Sequence, residues 1–195
     1  MALGMAPAPY ELRFDSGRSC LDLVATRHPV ERLDSVARLR AWLVGAGLVP
    51  AGASWPGVGP PWLTAFLELR SSIEQLVLGE IEGAPADSAL ERVNALAAPA
   101  PPAPCAVRAA DGTLTRALRA APECAALVAC VARDAVDLLT DPAARALLRQ
   151  CAGDNCPIVY LDTSRGHRRR WCSSEVCGNR ERVARHRRRA ALARP

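Results

Sequence analysis

Four cysteines in the C-terminal quarter of this 195-residue chain have the spacing of a metal site. Cys151 and Cys156 form one short-spaced pair, and Cys172 and Cys177 form a second pair after 15 intervening residues, which gives the pattern C-x4-C-x15-C-x4-C. Two such pairs, separated by enough chain for a hairpin, can place four thiolates around a tetrahedral Zn2+. Because four thiolates leave no open position for water or substrate, the pattern predicts one structural zinc and not a catalytic one.

Four free structural thiols or two disulfides are the alternative interpretations of these cysteines. The segment around them offers few apolar side chains for a core of its own, namely Ile158, Val159, Tyr160, Leu161, Trp171 and Val176. Chains below about 70 residues usually need a staple such as a metal ion, which favours zinc. His167 and His186 are candidate substitute ligands, but both lie within arginine clusters and four cysteines already suffice.

The residues between and after the cysteines indicate how these ligands are positioned. Gly153, Asp154 and Asn155 suit a tight turn inside the first pair. Residues 158–161 have the pattern of a strand, and residues 162–166 that of a hairpin turn in which Asp162 is expected to fix the backbone. A helix-forming, arginine-rich stretch follows the last cysteine. Turn, hairpin and helix in this order predict a treble-clef-like zinc finger with four cysteine ligands.

Positive charge is concentrated in the same segment. Residues 151–195 carry 11 arginines against 4 acidic residues, a formal charge of +7, whereas the first 150 residues carry 14 arginines and 16 acidic residues, a formal charge of −2. Zinc held by four thiolates would leave about +5 on the segment. Such asymmetry points to an anionic partner, most often nucleic acid.

Two groups of polar residues flank the cysteines and are the candidate nucleic-acid contacts: Arg165, Arg168, Arg169, Arg170, Asn179, Arg180, Arg182, Arg185, Arg188 and Arg189. Helical periodicity puts Arg182, Arg185 and Arg189 on one face, with Val183 and Ala190 on another stripe that could pack on the finger. The alternatives are a solvated charged helix and, for Asn179 and Arg180, a bracing role at the zinc turn. Tyr160 and Trp171 are the candidate stacking platforms for RNA.

The first 145 residues have the pattern of a mainly α-helical domain with one small β-hairpin, an α+β fold class. Apolar residues at helical spacing predict helices over about residues 34–45, 61–81, 88–96 and 122–138. Asp34 and a capping box formed by Ser88 and Glu91 are the expected helix caps. The Asp111-Gly112 turn predicts the hairpin. We therefore divide the chain into residues 1–145 and residues 146–195.

No arrangement of residues in the first domain indicates an enzyme. His28 stands alone, without a motif for a nucleophile, a base or a phosphate cradle, and Asp22 and Asp134 are expected to cap backbone groups. The cysteines outside the metal pattern are interpreted as buried free thiols, namely Cys20, Cys105, Cys124 and Cys130.

The sequence also bears on the location of the protein. No stretch approaches the roughly 18 apolar residues of a membrane span. The N-terminal Met1–Pro7 segment lacks the basic start and apolar run of a signal peptide. We therefore expect a cytoplasmic protein without a membrane partner, in which paired thiols stay reduced and bind metal.

The C-terminal segment resembles the CGNR zinc finger, whose name stands here as Cys177-Gly178-Asn179-Arg180. The resemblance includes all four cysteines, residues 160–164 and residues 169–172, and it covers roughly residues 145–190. Further similarities to an N-terminal ABATE domain are carried by Leu21–Thr26, by Leu39 with Trp42-Leu43, by the Asp111-Gly112 turn and by Ala132–Ala135.

This resemblance implies a bacterial regulator, since the ABATE name refers to stress-induced transcription regulation. The expected function is therefore a zinc-containing, DNA-binding transcription regulator whose helical domain senses a signal or dimerises. The alternative is an interaction adaptor whose basic finger binds an acidic protein or RNA. A homodimer and a small-molecule effector are both left open.

Overall fold

The computed structural model describes residues 11–192, so the Met1–Pro7 segment lies outside the described residues. The N-terminal part contains α1 (Ser19–Ala25), α2 (Val36–Gly45), α3 (Pro60–Glu82), α4 (Asp87–Ala97), β1 (Pro104–Arg108), β2 (Leu114–Leu118), α5 (Cys124–Thr140) and α6 (Pro142–Arg145). The C-terminal part contains β3 (Leu148–Gln150), β4 (Val159–Leu161), a single π-helical turn (Ser174–Gly178) and α7 (Asn179–Leu192). Among the described residues, no helix combines the length and the apolar character that a membrane crossing needs.

The predicted fold class is confirmed: helices dominate, and two small antiparallel hairpins complete the structure. The long helix α3 buries Phe66, Leu69, Ile73 and Val77, the apolar stripe from which it was predicted. This stripe packs against α1, α4 and α5, which together form the main core. The β1–β2 hairpin pairs Val107 with Thr115 across its turn.

Helix starts differ from the sequence expectations at two places. Ser35, and not Asp34, caps α2, because its Oγ accepts a hydrogen bond from the Arg38 amide at 3.3 Å. Helix α4 begins at Asp87 without a side-chain cap, so the expected capping box at Ser88 is wrong. The N-cap lies one position after the expected Asp34 in α2, and at Ala86, two positions before the expected Ser88, in α4.

The strand β4 ties the zinc-finger segment to the main core. Side chains alternate between two sides along β4 and the residue before it: Val159 and Leu161 join the main core, whereas Ile158 and Tyr160 pack with the cysteines. The Leu161 amide donates to the Ser16 carbonyl at 2.8 Å. All four of these side chains are at least nine-tenths buried.

The pairing of β4 corrects the expected hairpin. The sequence suggested that residues 158–161 fold back through the turn at 162–166, but β4 pairs antiparallel with β3 instead, with Leu148 opposite Leu161. The loop that carries Cys151 and Cys156 therefore lies at the tip of this hairpin. Apolar Leu148 is what makes the preceding strand the better partner, because it enters the main core beside Leu161.

Candidate metal centre

The sulfur atoms of Cys151, Cys156, Cys172 and Cys177 all lie within 4.8 Å of one another. Two of the separations are 3.8 Å, between Cys156 and Cys172, and 3.6 Å, between Cys172 and Cys177. A tetrahedral site with Zn–S bonds of about 2.3 Å requires sulfur separations of about 3.8 Å. The four thiols are free cysteines, so the two-disulfide interpretation does not hold, and the cluster has the dimensions of a Zn2+ site.

The loop at the tip of the β3–β4 hairpin presents the first pair of ligands. Cys151 donates its backbone N–H to the Ile158 carbonyl at 2.9 Å, and Asn155 adopts a left-handed φ of 56° that turns the chain back. A Cβ added to Gly153 would lie 3.3 Å from the Cys177 Cβ and 3.4 Å from its Sγ. A side chain at this position would therefore crowd the second pair of ligands, which glycine lets approach closely.

The second pair lies just before and within the π-helical turn that precedes α7. Cys177 lies within this turn and is buried, and Ser173 caps the turn by accepting a hydrogen bond from the Val176 amide at 3.2 Å. The Cys172 amide donates to the Cys151 Sγ at 3.3 Å, which holds the two pairs together. The last ligand therefore lies just before α7, so the helix starts from the metal centre as predicted.

Two arginines donate to the ligand sulfurs. Arg180 Nη2 lies 3.2 Å from the Cys177 Sγ, and Arg13 Nη1 lies 3.6 Å from the Cys172 Sγ. Zinc with four thiolates carries a net charge of −2, and these two guanidinium groups offset part of it, since Arg13 also pairs with Asp15 at 2.7 Å. Guanidinium groups placed against the sulfurs of Cys177 and Cys172 suit thiolates that bind a metal better than they suit neutral thiols.

The clustering of the thiols also favours a cation between them. The hydrogen bond to the neighbouring Cys151 sulfur, followed by burial, raises the pKa of Cys156 to about 11. The same neighbour and burial raise the pKa of Cys172 as well. Hydrogen bonds from Cys156 and Cys172 lower the pKa of Cys151, so it is the other two thiols that retain protons until a metal ion replaces them, and metal binding releases those protons.

Asp162 fixes the turn after β4, as predicted. Its fully buried carboxylate accepts hydrogen bonds from Ser164 Oγ at 2.6 Å, the Ser164 amide at 3.0 Å and the Arg169 amide at 2.9 Å. The Ser164 hydroxyl is the main cause of a lowered pKa for this carboxyl group. Asp162 therefore has a structural role, because its carboxylate oxygens accept hydrogen bonds from the loop that leads to Cys172.

Residues 17–142 match the ABATE family, described as "Putative stress-induced transcription regulator", over more than half of the chain. The chain belongs to the ABATE family. Residues 147–190 match the CGNR zinc finger, so the resemblance inferred from the sequence is confirmed on both counts. A search of curated proteins gave no match.

The CGNR finger of this ABATE-family protein is therefore a site for one structural zinc held by the four clustered cysteines. The contribution of Arg13 to the site was missed by sequence reasoning. This residue precedes the ABATE match, lies far before the first ligand in the chain and belongs to no motif. It also donates to the Cys172 carbonyl at 2.9 Å, so the N-terminal segment braces the finger directly.

Several of the candidate nucleic-acid contacts are occupied inside the protein. The guanidinium of Arg169 lies 4.4 Å from the Tyr160 ring centroid and donates to the Trp171 carbonyl at 2.9 Å and to the Asp15 carbonyl. Arg182 donates to the Asn179 side-chain oxygen at 3.0 Å and to the Ser174 carbonyl. These contacts, with the one from Arg180 to Cys177, stabilise the finger.

Other candidates face solvent. Arg188 forms an exposed ion pair with Glu181 at 2.9 Å. Five of the candidates are exposed arginines that have no carboxylate partner within residues 11–192, namely Arg165, Arg168, Arg170, Arg185 and Arg189. The expectation that Val183 packs on the finger is wrong, since this side chain is 48% exposed. Helix α7 thus projects from the finger with arginines around much of its surface.

The aromatic candidates for RNA stacking are not free platforms. Tyr160 is fully buried and donates its hydroxyl to the Arg169 carbonyl at 2.5 Å, so it cannot stack on a base. Trp171 is half-buried, and the Arg170 guanidinium lies 5.4 Å from its ring centroid. The sequence pattern could not separate these packed aromatic rings from exposed ones.

The acidic residues of the ABATE domain have structural contacts. Asp134 accepts from the Cys20 amide at 2.8 Å and the Ser19 hydroxyl at 3.0 Å, and thereby caps α1. Asp22 accepts from the Ser16 amide at 2.9 Å. Burial raises the pKa of Asp22 to about 6. The expected capping roles are confirmed.

Proposed function

We propose that this ABATE-family protein is a DNA-binding transcription regulator whose zinc finger docks on the phosphate backbone. The observation that supports the proposal is the set of five candidate arginines without a carboxylate partner, which we call the basic surface: Arg165, Arg168, Arg170, Arg185 and Arg189. Arginine presents a planar fork of donors that suits phosphate oxygens, and such contacts position a protein on a duplex.

The zinc gives the basic surface its shape. Cys177 lies two residues before α7, and Arg180 and Arg182 tie the first turn of this helix to the Cys177 sulfur and the Ser174 carbonyl. Arg185 and Arg189 follow one turn apart on one face of the same helix. Metal binding therefore sets the direction in which these two guanidinium groups project.

A titration of DNA binding against salt tests the proposal. If the five arginines of the basic surface each neutralise one phosphate, the logarithm of the association constant falls with the logarithm of salt at a slope of about −4.5. Replacing Arg185 and Arg189 with Ala should reduce the slope to about −2.7 and weaken binding to every duplex sequence tested. Fluorescence anisotropy with the zinc-loaded protein measures both effects.

The control removes the same charge from another exposed surface. Arg108 and Arg116 lie on the β1–β2 hairpin, so Arg108→Ala with Arg116→Ala should leave the slope unchanged. Binding that is insensitive to salt and to both double variants would overturn the proposal. The second candidate, an adaptor for an acidic protein, is supported by the same charge. The adaptor function would be favoured if this chain, immobilised as bait, captures one specific acidic protein after the nucleic acid has been removed with nuclease.

We further propose that the helical ABATE domain supplies the regulation, either by dimerising or by responding to a small molecule. The supporting observation is the direct contact between its N-terminal segment and the metal ligands. Arg13 donates to the Cys172 carbonyl, and the Asp15 carbonyl accepts from Arg169. Through these contacts, a conformational change in the ABATE domain would alter the position of the metal ligands and so the orientation of the basic surface.

A further inference from the structure

Cys156 differs from the other three zinc ligands in its exposure. Cys151, Cys172 and Cys177 are buried, with 7%, 1% and 2% of their surface exposed, whereas Cys156 is only partly buried. The thiolate is the form of cysteine that oxidants attack, and the susceptibility of a cysteine to oxidation follows its thiolate character and its exposure. Among the four ligands, Cys156 is therefore the one most open to a reagent from solvent.

The buried ligands are also held by stronger sets of donors. Cys151 Sγ accepts hydrogen bonds from two backbone amides, at 3.3 Å and 3.4 Å. A guanidinium group lies against each of Cys172 Sγ and Cys177 Sγ. The donor beside Cys156 is the neutral backbone amide of Ile158. Hydrogen bonds to a thiolate, above all those from charged groups, lower its nucleophilicity, so the Cys156 sulfur remains the more reactive one.

A cavity of about 170 Å3 gives access to Cys156. Cys156 lines it together with Pro157 and Val176 of the finger and with Pro29 of the ABATE domain, and its exposed surface is mostly apolar. For comparison, an apolar protein cavity of about 150 Å3 holds one benzene molecule. The cavity therefore has room for hydrogen peroxide or a small organic hydroperoxide beside this ligand.

The charged groups at the cavity are engaged within the protein. Arg13 pairs with Asp15 at 2.7 Å, and Arg180 donates to a ligand sulfur. Arg32 donates to two backbone carbonyls, and its unpartnered Nε is itself buried. Glu11 adds a negative charge to the lining. This balance of charges favours an uncharged reagent over an ion.

We propose that Cys156 is a modification site for hydrogen peroxide and other small, uncharged hydroperoxides, and that its oxidation opens the metal centre. In the first step, the Cys156 thiolate attacks one oxygen of hydrogen peroxide. An S–O bond forms and the O–O bond breaks, so that sulfur loses two electrons to the peroxide. The other oxygen leaves as hydroxide and takes a proton from solvent to become water. The product at Cys156 is a sulfenic acid.

The second step uses the neighbouring ligand Cys172, whose sulfur lies 3.8 Å from that of Cys156. The Cys172 thiolate attacks the Cys156 sulfur, an S–S bond forms, and the S–O bond breaks with loss of hydroxide, which also takes a proton. Two thiolates, one hydrogen peroxide and two protons thus give one disulfide and two waters. The centre keeps two of its four thiolates, so its affinity for zinc falls and α7 loses its anchor.

This chemistry goes beyond the proposed DNA binding and does not depend on it, so it is tested without DNA. Zinc-loaded full chain is treated with hydrogen peroxide while a dye reports free zinc. Samples are quenched over time with a reagent that blocks free thiols. The disulfides are then reduced, and the new thiols are labelled and located by peptide mass spectrometry, with dimedone in a parallel sample to trap sulfenic acid.

We expect the dimedone adduct at Cys156, disulfide label at Cys156 and Cys172, and labelling that rises in step with zinc release. Dithiothreitol with added zinc should restore the loaded protein, because sulfenic acids and disulfides are reversible oxidation products. Zinc release without oxidation of Cys156, or oxidation of a buried ligand before Cys156, would overturn the proposal.

Two histidine variants separate Cys156 from the other ligands. Cys156→His should retain zinc, since three cysteines and one histidine form an ordinary structural site, but it removes the reactive thiolate. Zinc release by peroxide should therefore slow by roughly tenfold or more. Cys151→His makes the same exchange at a buried ligand and is the matched control, which should release zinc as fast as the unchanged chain.

Elemental analysis before oxidation establishes that each variant holds one zinc. Equal rates of zinc release from the two loaded histidine variants would contradict the assignment of Cys156. The order of labelling in the unchanged chain decides the proposal even where a histidine variant does not bind the metal.

Discussion

The guanidinium of Arg13 donates to the backbone carbonyl of Cys172 at 2.9 Å, and its other terminal nitrogen lies 3.6 Å from the Cys172 sulfur. These two residues are 159 positions apart in the chain. The contact makes the N-terminal segment part of the surroundings of the metal. Zinc binding, the orientation of α7 and the packing of the ABATE domain are therefore physically linked.

Arg13→Gln should weaken zinc binding by roughly tenfold or more. Partners of metal ligands orient the ligand and balance its charge, and their loss typically costs about 10–100-fold in affinity. Competition with a chromophoric chelator measures the change. Arg27→Gln is the matched control, because Arg27 is 51% exposed and pairs with Glu74, a residue outside the metal centre. Equal zinc affinities for the two variants would contradict the role assigned to Arg13.

Zinc release should depend steeply on pH. The thiols must lose their protons to bind the metal, and the pKa of Cys156 lies at about 11 without it. The zinc affinity should therefore fall by more than tenfold for each unit of falling pH, because more than one thiolate is reprotonated for each zinc released. A dye that reports free zinc measures the profile. Cys105→Ser, which changes a thiol outside the centre, should leave it unchanged, whereas Cys172→Ser should abolish tight binding.

Asp22→Asn should stabilise the protein at neutral pH and have little effect in acid. The folded-state pKa of Asp22 is raised to about 6 from 3.8, so the folded state binds this proton more tightly than the unfolded chain does. The native carboxyl group therefore destabilises the fold above pH 6, and this cost is lost as pH falls toward 4. The asparagine variant should gain up to roughly 3 kcal/mol at pH 8.

Urea unfolding of both proteins at several pH values gives the difference in the free energy of unfolding. Loss of zinc in acid affects both proteins alike, because their metal ligands are identical. A difference that stays constant between about pH 4 and pH 8 would show that Asp22 is not buried as a charged group in the folded protein.

Gly17→Ala should destabilise the fold more than Gly47→Ala. Both glycines have a positive φ, 94° and 69°, so both substitutions carry backbone strain of about 1–2 kcal/mol. At Gly17 the new Cβ would lie 3.0 Å from the Cβ of Leu161 in β4, where this strand packs on the ABATE domain. At Gly47 the new Cβ would have no neighbour within 4 Å. Chemical denaturation compares the two variants, and equal losses would show that the two parts do not pack as closely as described.

Much of the metal centre could be predicted from the sequence, because a site with four cysteine ligands has a short-range signature. The two cysteine pairs and the turn at Gly153 are local features that survive without knowledge of the fold. The stripe on α3 was equally readable, since helical periodicity and burial coincide there. Neither the pairing of β4 with β3 nor the contact from Arg13 has a local signature, because both depend on which distant surfaces meet.

The roles of individual arginines likewise could not be predicted from the sequence. Arg169 and Arg165 look alike in the sequence, but Arg169 packs over Tyr160 and binds three backbone carbonyls, whereas Arg165 is exposed. A charged cluster predicts the sign of a surface and does not identify which of its members are used for folding. Helix α7 is a second example, because the spacing of Val183 and Ala190 suggested a packed stripe, but the Val183 side chain is exposed.

The most direct test of the account is X-ray absorption at the zinc edge, combined with elemental analysis of reduced, full-length protein. We predict one zinc per chain with four sulfur ligands at about 2.3 Å, and loss of the metal in Cys172→Ser. Protein that is folded without metal, or a zinc shell containing nitrogen or oxygen in place of a cysteine sulfur, would contradict the assignment of Cys151, Cys156, Cys172 and Cys177 as its ligands.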